Sequence, residues 1–448
     1  MDKIQVLKER KETLRAAGKN VRARIAALVD EDSFVELGAF AFSKDALFGQ
    51  NAHGEGVVTG FATVGGYPFY VVAQNFEAFK GGLSKAACDK IAHTLNAAEK
   101  QNTPVIYLLN SYGVRVGEGV EVLEGLAELL LKATQLKGTV LQFAIVDGEV
   151  YGTNAALASV CDVVLFTEES ALALNSPFVL SAKAGKNLKP TEVGGYKVLT
   201  NANLPAILVK DIKEAASKIL AVSDLVNLSE IDAELNEPAP MLNVKQNAEE
   251  VLALLENAVE IGGNSYPEVK TVLGRLGGIA VAAIVMDGVR LNEGNVKKIK
   301  AFAEFACCYG LPFITFVDCF GAEATMDTAN SALLKEMGEY LSILDATDTA
   351  KLAVVTGKAV GLGYSLFAAK SAGFDYTFAF ATAHIALFES AAGAQIEFDG
   401  SDKAKLSERY ADENADPFNA AKGGYLDDII EPQFAKQYLV ASLQMLLR

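Results

Sequence analysis

The chain has 448 residues, three times the length of an ordinary domain of about 150 residues, so two domains are the first expectation. Half of it is hydrophobic (51%) and a fifth charged (21%), which supplies large cores and excludes a globally disordered chain. Forty Lys and Arg against 56 Asp and Glu leave a net charge of −16, which argues against nucleic acid as a partner. An anionic small ligand is still allowed, because local basic groups and backbone N–H groups suffice to bind one.

Residues 1–29 read as a helix rich in Arg and Lys, and residues 30–38 break it and start a strand. The run 57–73 reads as two strands around a Gly65-Gly66 turn. Then come an amphipathic helix Ser84–Gln101, a strand Pro104–Leu109, a helix Val120–Leu136 and a strand Gly138–Val146. A small-residue helix Asn154–Cys161 and a strand Val163–Phe166 follow. Short apolar strands alternating with helices mean α/β layers. The five cysteines show no Cys-x-x-Cys spacing and read as buried, reduced thiols. The first residues carry no apolar signal core, and the Leu129–Leu131 run is too short to span a membrane, so the expected location is the cytoplasm.

The order of elements then recurs. Val35–Gly38 returns as Val259–Gly262, Gly65-Gly66 as Gly277-Gly278, helix 84–101 as Val296–Tyr309, and Pro104 as Pro312. Pro104 lies 48 residues before Gly152, and Pro312 lies 49 before Gly361. This is an internal duplication of a unit of roughly 200 residues, far longer than a solenoid repeat. The polar, Pro-containing stretch 236–241 marks the boundary, giving domains 1–238 and 239–448.

Familiar catalytic signatures are missing. Three histidines stand apart at 53, 93 and 384, so no imidazole metal site is expected, and no Walker loop occurs. Gly361-Leu-Gly363 lacks the third glycine of a dinucleotide fingerprint, and Gly363-Tyr-Ser365 lacks the closing glycine of a nucleophile elbow. What remains is a pair of glycine-opened helix starts, Tyr151-Gly152-Thr153-Asn154 and Val360-Gly361-Leu362-Gly363. Helix starts carry free N–H groups and partial positive charge. Such groups can hold an enolate or oxyanion without an ionisable side chain.

The chain resembles the carboxyltransferase component of biotin-dependent acyl-CoA carboxylases and decarboxylases. The resemblance rests on Arg24–Gly38, Gly56–Gly60, Phe79-Lys-Gly-Gly82, Arg115-Val-Gly-Glu-Gly119, Arg275-Leu-Gly-Gly278, Pro312–Asp318, Lys358–Tyr364 and Thr382–Ala386, in order along nearly the whole chain. It implies two tandem crotonase-like β-β-α superhelical domains, acyl-CoA on the N-terminal side and biotin on the C-terminal side. It implies a homo-oligomer, at least a dimer and compatible with a hexamer, whose active site joins the N-domain of one protomer to the C-domain of another. By the same resemblance, Gly152 and Thr153, and Leu362 and Gly363, are the oxyanion positions, acting through their N–H groups. Gly81, Gly82, Arg115, Gly119, Gly361, Tyr364 and Ser365 contact substrates.

No biotinylation motif is present, so biotin arrives on a separate carrier protein, with a biotin carboxylase or a membrane decarboxylase subunit as further partner. The chain departs from the family's Gly-Gly-Ala at Gly152-Thr153-Asn154 and from Gly-Gly-Ala-Tyr-Asp at Gly361-Leu-Gly-Tyr-Ser365. Two other readings stay open: a binding subunit without turnover, and another crotonase-fold activity using Glu118 or Glu149 as acid or base.

Overall fold

The computed structural model describes residues 2–41, 53–200, 204, 206–226, 248–263, 265–329 and 332–447. The chain divides into two compact units, Met1–Ser223 and Asp224–Arg448. The boundary expected at 236–241 lies outside the described residues.

The first unit opens on α1 (Lys3–Ala17) and α2 (Lys19–Leu28) rather than on the single helix the sequence suggests. The break is at Gly18, outside helical geometry at φ −126° and ψ 41°, whose N–H closes α1 onto Leu14 O. β1 (Val35–Leu37), β2 (Val57–Val64), β3 (Tyr67–Gln74), β4 (Val105–Ser111), β5 (Gln142–Tyr151), β6 (Val163–Thr167) and β8 (Ala206–Val209) form one sheet in the order β1-β2-β3-β4-β5-β6-β8. β7 (Ala171–Ala173) pairs with the end of β5. β2 and β3 make an antiparallel hairpin, and from β3 onward every pair is parallel. Gly65 and Gly66 close the hairpin with φ of 56° and 83°, the left-handed pair that a two-residue turn requires.

Between β3 and β4 runs α3 (Lys85–Gln101), and between β4 and β5 runs α4 (Val120–Gln135). Ser84 caps α3, its Oγ accepting from Ala87 N at 2.9 Å. Ala87, Ile91, Leu95 and Ala98 form the helical stripe α3 buries, against Val72, Tyr107, Leu126 and Leu129. β5 begins four residues later than expected. The apolar residues before it close the end of α4 instead, with Val140 N donating to Leu136 O at 2.8 Å.

The second unit repeats the plan. β9 (Glu256–Glu260), β10 (Val269–Leu276), β11 (Ile279–Met286), β13 (Phe313–Ala322), β14 (Lys351–Val360), β15 (Tyr376–Phe380) and β17 (Asp428–Ile430) lie in the order β17-β15-β14-β13-β11-β10-β9. β12 (Val289–Leu291) pairs with β13, and β16 (His384–Ala386) with β14. Gly277 and Gly278 turn the β10–β11 hairpin at φ 58° and 84°. In each unit a late helix covers that turn. A Cβ on Gly65 would meet Leu220 at 2.7 Å, and one on Gly277 would meet Val440 at 2.8 Å. The duplication read from the sequence is therefore a duplication of the fold.

Two buried lysines also stand at matching places in the two units. Lys90 Nζ donates to Gly54 O (3.1 Å) and Val57 O (2.6 Å). Lys298 Nζ donates to Gly263 O (3.2 Å), Ser265 O (2.9 Å) and Val269 O (2.7 Å). Each ammonium pins the segment that leads into the first long strand of its unit. Burial pushes both down to about 8, with Glu36 and Glu55, and Glu260 and Glu268, pulling the other way. Below pH 8 both are charged in the folded and unfolded chain, and the burial cost is fully present. Between pH 8 and about 10.4 the unfolded chain binds more protons, so this contribution to stability rises with pH, by about 3 kcal/mol per lysine. Denaturant unfolding of wild type and Lys90→Met between pH 7 and 10 checks this: the variant should show the shallower rise, and equal slopes would refute it.

The five cysteines are thiols rather than disulfides. Cys88, Cys161 and Cys319 are buried as expected, Cys307 is half-buried, and Cys308, at the end of helix Glu293–Cys308, is exposed. Among the described residues no helix is long and apolar enough to cross a membrane.

Candidate active site

In the first unit the site is built where β4 and β5 end side by side. After β4 the chain turns at Gly113 (φ 114°), and after β5 at Gly152 (φ 69°). A Cβ on Gly113 would lie 3.6 Å from Tyr151 O, and one on Gly152 would lie 3.7 Å from the Gly113 Cα, so the two turns face each other with no side chain between them. Gly152–Asn154 form a 3₁₀ turn that runs into α5 (Ala155–Ser159), shorter than the expected helix 154–161. Ala155 N, which ends this turn, donates to Gly152 O and Thr153 O. The N–H groups that open such a turn have no carbonyl one turn back.

Ser111 ties the surrounding pieces together. Its Oγ donates to Gly81 O (2.7 Å) and accepts from Gly113 N (3.1 Å) and from Asn154 Nδ2 (2.6 Å). The Gly81–Gly82 loop lies along the same strand end. Tyr112 N donates to Lys80 O (3.0 Å), and Leu83 and Val114 form a parallel bridge. A Cβ on Gly81 would overlap the Asn110 carbonyl oxygen, so this close approach requires glycine. Phe79, Lys80 and Gly81 are all left-handed, at φ 51°, 54° and 68°, a strained run beside the candidate site.

Arg115 supports this loop from below. Its side chain is 2% exposed and Glu55 is fully buried, with Nη1 2.8 Å from Glu55 Oε2 and Nη2 donating to Glu55 O at 3.0 Å. Ser84 Oγ donates to the same Glu55 oxygen (2.7 Å), and the guanidinium lies 4.5 Å from the Phe79 ring. Glu118, 5% exposed, accepts from Lys85 N at 2.7 Å and so caps α3. Gly119 (φ 60°, ψ −131°) starts α4, and a Cβ there meets nothing within 4 Å. Arg115, expected at the substrate, is buried in its ion pair with Glu55. On the rim, Tyr112 Oη donates to Glu149 (3.1 Å), and the Tyr112 ring meets Phe76 edge-on and Tyr151 at a tilt. Burial, then the Glu149 charge, raises both tyrosine hydroxyls above their ordinary range.

The second unit holds the same construction. Gly321 (φ 86°) corresponds to Gly113, and its Cβ would lie 2.9 Å from Val360 O. Gly361 (φ 53°) corresponds to Gly152 and gives its N–H to Ala386 O at 2.9 Å. Tyr364 N and Ser365 N both donate to Gly361 O at 3.1 Å, which leaves Leu362 and Gly363 as the N–H groups ahead of the first helical bond. Their counterparts in the first unit are Thr153 and Asn154. The expected pair in the first unit, Gly152 and Thr153, opens the 3₁₀ turn as Leu362 and Gly363 open their helix.

The remaining contacts of Tyr364 and Ser365 are internal, Tyr364 Oη donating to Tyr425 O (3.2 Å) and Ser365 Oγ to Gly361 O (3.2 Å). Gly363 has no room for a side chain, since a Cβ would lie 2.8 Å from the Cys319 Sγ. Asn154 and Ser111 fill the matching place in the first unit with a hydrogen bond. Burial pushes the Cys319 thiol up to about 12, so it serves here as packing. Gly363→Ala should therefore lower stability by about 1–3 kcal/mol through overpacking. Cys319→Ala in the same chain should recover part of it in a thermal melt, and no recovery would overturn this account.

Sequence reasoning missed Gly113, Gly321, Ser111 and Asn154 as site residues. The first two were findable, since Gly113 and Gly321 stand nine residues after Pro104 and Pro312.

Paired glycine turns, each closing a strand and opening a short helix, stand at matching places in the duplicated units of a crotonase-like fold. The carboxyl transferase domain model matches residues 14–448, and the chain belongs to that family. It is 26% identical to the carboxyltransferase subunit of propionyl-CoA carboxylase from Haloferax mediterranei, over 99% of this chain and 96% of that protein. It is 26% identical to the methylmalonyl-CoA decarboxylase subunit alpha of Veillonella parvula, over 98% and 92%. Transcarboxylase 12S, solved as a hexamer with methylmalonyl-CoA and methylmalonic acid bound, superposes with a TM-score of 0.87 at 23% identity, over 98% of this chain and 92% of that one. That likeness shows the crotonase-like fold.

Proposed function

We propose that this chain is the carboxyltransferase subunit of a biotin-dependent acyl-CoA carboxylase or decarboxylase. It would move a carboxyl group between biotin on a separate carrier protein and the α-carbon of a short-chain acyl-CoA. The carrying observation is the duplicated pair of glycine turns, each running into a short helix whose first N–H groups have no carbonyl one turn back. In the N-terminal unit the N–H groups of Gly152 and Thr153, with Asn154 behind them, would hold the thioester enolate oxygen. In the C-terminal unit Leu362 and Gly363 would hold the ureido oxygen of biotin. The bare cradle of Gly321 and Gly361 fits a planar group that must approach the backbone closely.

Carrier-borne biotin would supply the carboxyl group and the nitrogen that exchanges a proton with the α-carbon. No protein base is then needed. This agrees with Glu118 being engaged as a cap and Glu149 being held by Tyr112. Gly81 and Gly82 would let the acyl-CoA lie against the loop, and Arg115 would keep that loop in place. A homo-oligomer, with a biotin carboxylase or a membrane decarboxylase subunit as partner, belongs to the same proposal.

The test is CO2 release from malonyl-, methylmalonyl- and glutaconyl-CoA, with and without biotin. Biotin-dependent release is the expected result and identifies the acyl group. Binding of these esters without release, with the carrier present, would replace the proposal by the binding-subunit reading.

A further inference from the structure

The two half-sites share a backbone but differ in charge at three equivalent rim positions. The strand pairings fix the equivalence. Leu83 bridges Val114 as Leu291 pairs Ala322, so Gly82 corresponds to Arg290. Tyr112 precedes Gly113 as Phe320 precedes Gly321. Glu149 pairs Ala171 as Lys358 pairs His384, so Glu149 corresponds to Lys358. The N-terminal rim is thus glycine, tyrosine and glutamate, and the C-terminal rim is arginine, phenylalanine and lysine.

The C-terminal cations converge on one ring. Lys358 Nζ lies 4.1 Å and the Arg290 guanidinium 4.7 Å from the Phe320 centroid. Two like charges gathered on one ring repel unless an anion joins them. Glu389 answers Arg290 at 2.5 Å. Asp318 directs its two carboxylate oxygens to the backbone N–H groups of Lys358 (2.7 Å) and Gly288 (3.1 Å). The Lys358 ammonium itself makes no ion pair among the described residues, although it is half-buried on an aromatic face in a chain of net charge −16. At the matching place in the first unit a carboxylate would repel the same ligand.

We propose that Lys358, seconded by Arg290, is the residue that receives the carboxylate of the transferred group on the C-terminal half-site. The glutamate at the equivalent position keeps that carboxylate from settling on the N-terminal one. The proposal rests on the carboxyltransferase reading. In the transfer itself, the bond between the α-carbon and the carboxyl carbon of malonyl-CoA breaks and a nitrogen–carbon bond forms on biotin. The proton leaving that nitrogen goes to the α-carbon. Lys358 would hold the carboxylate so formed; when the nitrogen–carbon bond later breaks to release CO2, the nitrogen takes a proton from water.

The test gives full-length protein carboxyl-labelled malonyl-CoA or methylmalonyl-CoA with biocytin, and measures label in carboxybiocytin and in CO2. Lys358→Met keeps the apolar stem on Phe320. It should lower the carboxybiocytin fraction at least tenfold with the KM for acyl-CoA within twofold, and Lys358→Arg should restore the fraction. A second readout needs no turnover: malonate should slow reductive methylation of Lys358, read by mass spectrometry, where chloride at equal ionic strength does not. An unchanged fraction in Lys358→Met, or no protection by malonate, overturns the proposal. If wild type transfers no label from either ester, the carboxyltransferase reading fails, and malonate protection alone decides whether Lys358 is a carboxylate site.

Discussion

Gly152→Val should reduce biotin-dependent CO2 release by at least roughly 10²–10³-fold, the loss that follows removal of one oxyanion donor. Gly152 sits at φ 69°, where a side chain costs about 1–2 kcal/mol, and its missing Cβ faces the Gly113 Cα at an uncrowded 3.7 Å. The fold should therefore survive, with a thermal midpoint only a few degrees lower by the usual conversion for a unit of this size. Activity should fall because the valine methyls would occupy the seam between two backbone turns, where the proposed function places a substrate oxygen. Gly152→Ala, with a single carbon in that seam, should fall between the two. Turnover of the valine variant within threefold of wild type would remove the site from this seam.

Arg115→Met should destabilise the N-terminal unit by about 3–5 kcal/mol, because it leaves the fully buried Glu55 carboxylate without its cation. For a unit of this length that corresponds to a thermal midpoint lower by roughly 6–20 °C. The double variant Arg115→Met with Glu55→Gln removes the stranded charge and should recover much of the loss. If the single and double variants melt alike, the pair is not coupled and Arg115 acts elsewhere. Activity in the double variant then reports on the loop: Phe79 loses its cation, and the left-handed run 79–81 its support.

Much of the fold was legible because its signals are local. The Gly65-Gly66 and Gly277-Gly278 turns are two-residue hairpins whose chemistry lies within the turn itself. The helix Ser84–Gln101 was legible from its stripe and its capping serine. β5 starts later than expected because Val140 is buried in the turn that follows α4, its N–H donating to Leu136 O, and not in a strand pair. The break at Gly18 escaped notice because the charged sequence on both sides favours helix.

The sequence by itself determined the duplication, the alternation of strands and helices, and the two glycine-opened turns, all of which are repeated spacings along one chain. Only the tertiary structure decided what those turns face. Gly113 lies against Gly152 and Gly321 against Val360, although 39 residues separate each pair in the sequence. Ser111 and Asn154 share by a hydrogen bond the space that Cys319 fills against Gly363, and Lys358 stands where the other half has Glu149. Parallel strands bring such residues together only after a whole crossover helix has been laid down, so nothing in the local pattern announces the contact. The charge that separates the two half-sites is therefore written in the sequence, but it becomes readable only once strand pairing shows which residues are equivalent.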